Sequence, residues 1–217
     1  MKLNADIIYK ELSKTIRLDC YGVRKKELLL QRPIFWLGGK EMMPDRLYVV
    51  RSDLLPKHTQ IQEGDLIICV GGNPLSDYCD ESFALFVVKD SDILTIHNLL
   101  QEIFDRYDGW EKAMQEIVEE DRGLQQLVDC SDEFLGAPAM ILDNRFCCLA
   151  YSSYIHGRPE YSDLQPENGV PNVDGISASL ERYGTSNMTR HDVFIIENAG
   201  LNQLAKNIFD HDSYAGS

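Results

Sequence analysis

The chain has 217 residues, 44% of them hydrophobic and 26% charged, with a formal net charge of -14. This is the composition of a globular protein, long enough for one large or two small domains that bury a core without disulfide or metal staples. The acidic balance argues against direct nucleic-acid contact, because phosphate binding needs clustered Lys and Arg; the only basic run, Arg24-Lys25-Lys26, reads as a solvated turn.

Cys20, Cys69, Cys79, Cys130, Cys147 and Cys148 form no C-x-x-C pair and have no companion His at metal-ligand spacing. They are expected as reduced, buried thiols, which places the protein in the cytoplasm. The first residues, MKLNAD, carry no apolar signal core, and no stretch approaches the roughly 20 apolar residues of a membrane span.

In chain order, Ile7, Ile8, Leu12 and Ile16 predict a first helix over Ala5 to Leu12 that ends before Arg17. Glu27 to Leu37, interrupted by Pro33, predicts two short strands or a bulged one. Leu47 to Val50 is a compact β run, and a short helical stretch after Ser52-Asp53 is broken by Pro56. Leu66 to Val70 and Phe83 to Val88 are apolar on consecutive positions, the pattern of strands covered on both faces. Residues 1–91 are therefore expected to form a layered α/β domain.

The most regular pattern follows. Ile93, Ile96, Leu100, Ile103, Tyr107, Trp110, Met114 and Ile117 alternate steps of three and four, a heptad seam on one long helix from Ile93 to Val118. Ser91 or Asp92 is placed to cap its start, and Asp121-Arg122-Gly123 to stop it. At about 1.5 Å per residue the helix reaches roughly 40 Å, farther than one small domain. It is expected to act as a connector over 92–122 and to pair with a second copy of the chain. Packing across its own domain would produce the same stripe, and the bulk of Tyr107 and Trp110 suits either arrangement.

Residues 123–217 form the third segment. A helix with Leu124, Leu127, Val128, Phe134 and Leu135 on one side should end at Gly136 before Pro138. A hairpin is expected from Ala139-Met140-Ile141-Leu142 and Phe146 to Tyr151 around Asp143-Asn144-Arg145. Residues 152–175, rich in Gly, Pro, Asn and Asp, predict a long excursion, followed by a short helix over Gly175 to Tyr183. His191 to Glu197 and Leu204 to Phe209 predict two more strands, and Tyr214 to Ser217 the start of a returning one, so the sheet is expected to be incomplete at residue 217.

Catalytic patterns are sparse. The five histidines form no pair at ligand spacing, and Gly38-Gly39 and Gly71-Gly72 lack the rest of a phosphate-binding motif, so Gly71-Gly72-Asn73-Pro74 reads as a turn. A Cys-His nucleophile built on Cys69 or Cys148 remains as an enzyme reading, a thiol-dependent hydrolase or transferase, although no enzyme, metal or cofactor is expected. Tyr151, Tyr154, His156 and Tyr161 suit the wall of a small-metabolite site; anchoring of the loop by tyrosines explains them equally.

Three features in order carry a family resemblance: the opening α/β segment with Leu66-Ile67-Ile68-Cys69-Val70, the helix around Tyr107-Asp108-Gly109-Trp110-Glu111, and Leu135-Gly136-Ala137-Pro138-Ala139-Met140-Ile141-Leu142-Asp143. Together they resemble the N-terminal regulatory region of bacterial PucR-like (purine catabolism regulator type) transcriptional regulators. The resemblance implies a PAS/GAF-like sensor sheet beginning with the hairpin at Ala139 and continuing in the segment from Asn207 to Gly216. It also implies a homodimer, a small-molecule effector, and a helix-turn-helix that lies outside these residues and makes the DNA contact. The alternative from the residues themselves is a dimerisation and protein-interaction module without a ligand.

Overall fold

The computed structural model describes residues 1–39, 42–72, 82–145, 147–155, 184, 187–198, 201–211 and 213–216. The fold is α/β, and the chain divides into two units, Met1–Glu111 and Lys112–Ser217.

In the first unit, α1 (Ala5–Leu12) starts where the Asn4 side chain accepts the Ile7 N–H at 2.8 Å, satisfying a donor that the first helical turn leaves open. Five strands follow: β1 (Asp19–Gly22), β2 (Ile34–Phe35), β3 (Leu47–Arg51), β4 (Leu66–Val70) and β5 (Ala84–Val88). They form one sheet in the order β1-β5-β4-β3-β2, in which β2 to β5 run parallel and β1 is antiparallel to β5.

All five residues of β4 and of β5 are buried, as their unbroken apolar runs require. One sheet face packs Tyr48, Val50, Ile67, Cys69, Leu85 and Val87 with Trp36, Met42 and Phe83. The register lines up Phe35, Val49, Ile68 and Phe86 on the opposite face. Tyr9 of α1 meets Phe86 edge-on there, at 5.5 Å between ring centroids.

Two expectations for this unit are corrected. The stretch from Glu27 to Leu37 holds only β2 and a single bridge between Leu30 and Leu3; Pro33 has no N–H to donate, and β2 is an edge strand. Strand β1 was not anticipated, because Asp-Cys-Tyr-Gly has no apolar alternation and becomes a strand only by pairing with β5. Cys20 on that strand is exposed, not buried.

Asp65 ties the start of β4 to the turn before β3. Its buried carboxylate accepts the Arg46 N–H at 3.1 Å and the Gln62 N–H at 3.0 Å. The adjoining Gly64 has φ 83°, and a Cβ there would stand 2.2 Å from Asp45 Oδ1, so a side chain is barred twice over. Burial, only partly offset by the two N–H bonds, pushes the Asp65 pKa up from 3.8 to about 6. A carboxyl whose pKa is higher folded than unfolded stabilises the fold fully below pH 3.8 and loses that contribution as pH rises through about 6. Urea unfolding between pH 4 and 7 should therefore contain a component that falls with pH and is missing from Asp65→Asn. The same slope in both proteins would show that Asp65 does not titrate in this range.

Helix α2 (Ile93–Glu119) begins in the first unit and ends in the second. Asp92 is its cap, accepting the N–H groups of Leu94 and Thr95, both at 3.0 Å. At its end Asp121 is the first left-handed residue, with φ 50°, ahead of Gly123 at φ 89°. The Arg122 N–H reaches back to the Ile117 carbonyl at 3.0 Å, closing the last turn.

The second unit continues with α3 (Leu124–Leu135), ended by Gly136 in the left-handed conformation. Strands β6 (Met140–Leu142) and β7 (Cys148–Tyr151) form the expected hairpin. Its turn is held by the Asp143 carboxylate, which accepts the N–H groups of Arg145 and Cys147, both at 2.8 Å. Strands β8 (Phe194–Asn198) and β9 (Leu201–Ala205) pair antiparallel, as do β10 (Ile208–Asp210) and β11 (Ser213–Gly216). The run Leu204 to Phe209, expected as one strand, is thus divided between β9 and β10. Asn207 interrupts it: its buried side chain donates to the carbonyls of Asn187 and Arg190 at 2.7 and 2.8 Å.

A bridge between Asp143 and Gly216 sets β6 beside β11, so the neighbours run β7, β6, β11, β10. Gly216 is required by that approach, since a Cβ would lie 2.1 Å from the Leu142 carbonyl oxygen. Most of the excursion from Ser152 to Gly175, and the helix expected over Gly175 to Tyr183, lie outside the described residues.

Candidate functional site

The heptad residues of α2 divide by burial. Ile96, Leu100, Tyr107 and Ile117 are buried, and Ile93, Ile103, Trp110 and Met114 are half-buried. Phe104, which the heptad omits, is fully buried, so the core stripe of the first unit runs Ile96, Leu100, Phe104, Tyr107. His97, one position from this stripe, stacks on Phe35 of β2 at 4.3 Å. In the second unit, Met114 Sδ accepts the Ser131 hydroxyl of α3 at 3.9 Å, and Val118 is 65% exposed.

Two charged clusters hold α2 to the rest of the first unit. Arg32, between β1 and β2, reaches Gln101, Asp105 and Asp108 at 2.8, 2.6 and 2.5 Å, three acceptors one helical turn apart. On another side, the Glu11 carboxylate of α1 is buried and lies 2.5 Å from Arg106 Nη2, 2.7 Å from Lys14 Nζ and 3.3 Å from the Tyr107 hydroxyl, which donates to it. Burial pushes the Glu11 carboxyl up, but Lys14 and Arg106 outweigh that and hold it below its ordinary value. Burial, with the Glu11 charge beside it, pushes the Tyr107 phenol up. A groove of about 220 Å³ opens next to this cluster, walled by Leu12, Leu99 and Ile103.

Glu11 was overlooked in the sequence although a signal was there: it stands three residues after Ile8, on the buried side of α1. A charged residue on an apolar helix face implies a partner. A second groove, of about 520 Å³, lies where α1 ends beside β1 and β5; Arg17, Lys89, Asp19 and Asp90 line it. Nothing in the spacing of those residues marked it.

Of the expected ligand-binding residues, Tyr151 and Tyr154 are placed, and His156 and Tyr161 lie outside the described residues. Tyr151 ends β7, where its backbone is bracketed by Gln125 of α3: the side-chain oxygen accepts its N–H at 3.2 Å and the side-chain nitrogen donates to its carbonyl at 2.8 Å. Tyr154 is exposed on the short turn that follows. The neighbouring Ser153 is fixed by Asp132, which accepts from its N–H and hydroxyl at 2.9 and 2.6 Å. These bonds set the path of the chain out of the hairpin.

The thiol candidates are poor nucleophiles. Cys69 sits fully buried in the apolar core, where burial pushes its pKa up to about 11 and its Sγ meets the Gly71 carbonyl. Burial raises Cys148 as well, and its thiol points to the Ala150 carbonyl. Among the described residues, no group of three or more His, Cys, Asp and Glu side chains is placed to hold a metal ion, and no helix is long and apolar enough to cross a membrane.

No family model, curated protein or solved structure matches the chain.

Proposed function

We propose that this chain is the effector-sensing and dimerising regulatory region of a cytoplasmic bacterial transcriptional regulator of the PucR-like type, with DNA contact made by a helix-turn-helix beyond residue 217. The observation that carries the reading is the course of α2, which leaves the first unit and enters the second as one unbroken helix. The PAS/GAF-like part is supported by the bridge between Asp143 and Gly216, which brings the first and last hairpins of the second unit side by side. An effector acts by binding one packing of α2 more tightly than another.

Thermal melting of the chain across purines, amino acids and aromatic acids tests the sensing role. At a hundredfold excess over its dissociation constant, an effector should stabilise the chain by roughly 2.7 kcal/mol, which raises the melting temperature. A transition that no compound moves removes the sensing role. Light scattering tests the dimer, and a monomer at high concentration rejects it.

A ligand-free interaction module is the second reading. It is favoured by Ile195 and Leu204, a directly opposed cross-strand pair that is 59% and 77% exposed.

A further inference from the structure

The groove of about 520 Å³ at the end of α1 has the size of a small-molecule site, with the half-buried Ile16 and Leu18 as an apolar wall. Its four charged residues separate into two kinds. Lys89 Nζ and Asp19 Oδ2 lie 2.8 Å apart and neutralise each other. Asp90 adds to the field on Lys89 but takes part in no ion pair or hydrogen bond among the described residues. Arg17 is likewise without an ion pair, hydrogen bond or ring contact among them. That sets it apart from Arg24, Arg32, Arg51, Arg106, Arg122 and Arg145, each of which holds a carboxylate, and from Arg46 and Arg190, which meet Gln31 and the Phe194 ring.

We propose that this groove binds a small zwitterion with an apolar body, of the class of hydrophobic α-amino acids. Its carboxylate bonds to Arg17, its ammonium to Asp90, and its side chain lies on Ile16 and Leu18. The ligand carries no net charge, so the field of a chain with net charge -14 does not oppose its approach as it would that of a simple anion. The site rests on the effector-sensing reading and deepens it. Groove residues come from the end of α1 and from β5, and α1 is bonded to α2 through Glu11 and Arg106, so an occupant that shifts α1 acts on the long helix.

Titration calorimetry of the full chain tests this with leucine, with 4-methylpentanoate, which lacks the amine, and with 3-methylbutylamine, which lacks the carboxylate. Leucine should bind, and each analogue should bind about tenfold or more weakly, as loss of one charge-assisted bond implies. Arg17→Gln and Asp90→Asn should each weaken leucine to the same degree with unchanged circular dichroism, since both side chains lie at the groove surface. Leucine binding that survives both substitutions overturns the site. So does a chain that ignores leucine while another compound of the thermal panel binds, a result that leaves the sensing reading standing. A panel in which nothing binds rejects that reading and the site together.

Discussion

Phe104→Ala is expected to destabilise the first unit by about 3–5 kcal/mol, the usual range for truncating a buried phenylalanine. The ring is fully buried between Leu100 and Tyr107 on the core stripe of α2, with the Arg32 guanidinium 6.0 Å from its centroid. Ile103→Ala removes a half-buried side chain beside the α1 groove and should cost about 1 kcal/mol. The order of the two decides what the helix packs against. A seam facing a second copy would make Ile103 the costly position and Phe104 the cheap one. Urea unfolding followed by tryptophan fluorescence reads the relevant unit, because Trp36 and Trp110 both belong to it. Equal or reversed losses would reject the stripe through Phe104.

Glu11→Ala should cost about 3 kcal/mol, the lower end for breaking a buried ion pair, since Lys14 and Arg106 keep partial access to water. Glu11→Gln keeps an acceptor for Tyr107 and should recover part of the loss. The acid response gives an independent reading. The Glu11 carboxyl is held below 4.5 when folded, so its contribution is complete above pH 4.5 and disappears as pH falls through the folded value. Asp65 has the opposite sign and acts between pH 3.8 and about 6, so the two responses separate along the pH axis. Denaturation midpoints below pH 4.5 should fall with acid in the wild type and stay flatter in Glu11→Gln. Parallel curves would mean that the ionised carboxylate contributes nothing to the fold.

Much of the local structure was legible because it depends on short-range chemistry. The unbroken apolar runs of β4 and β5 announced strands buried on both faces, and Gly136 before Ala137-Pro138 marked the end of α3. Where pairing depends on distant residues the pattern failed. Asp19–Gly22 has no strand signature, and its register comes from β5, more than sixty residues later. The run from Leu204 to Phe209 looked continuous because side-chain hydrogen bonds from Asn207 to a distant turn have no counterpart in apolar spacing.

The candidate site shows the same division. Tyr151 and Tyr154 were identified as residue types suited to a pocket, but the bonds to Gln125 and Asp132 that direct this part of the chain could not be read from composition. Likewise, Glu11 and Arg106 are almost a hundred residues apart, and only the packing of α1 on α2 brings their charges within 2.5 Å.

By itself the sequence determined that residues from Ile93 onward form one long amphipathic helix, because a stripe at steps of three and four is a property of the helix alone. Only the tertiary structure decided what that stripe meets. Apolar periodicity records that a face is buried without recording the partner, and here Ile96, Leu100, Phe104 and Tyr107 are buried in the first unit's own core.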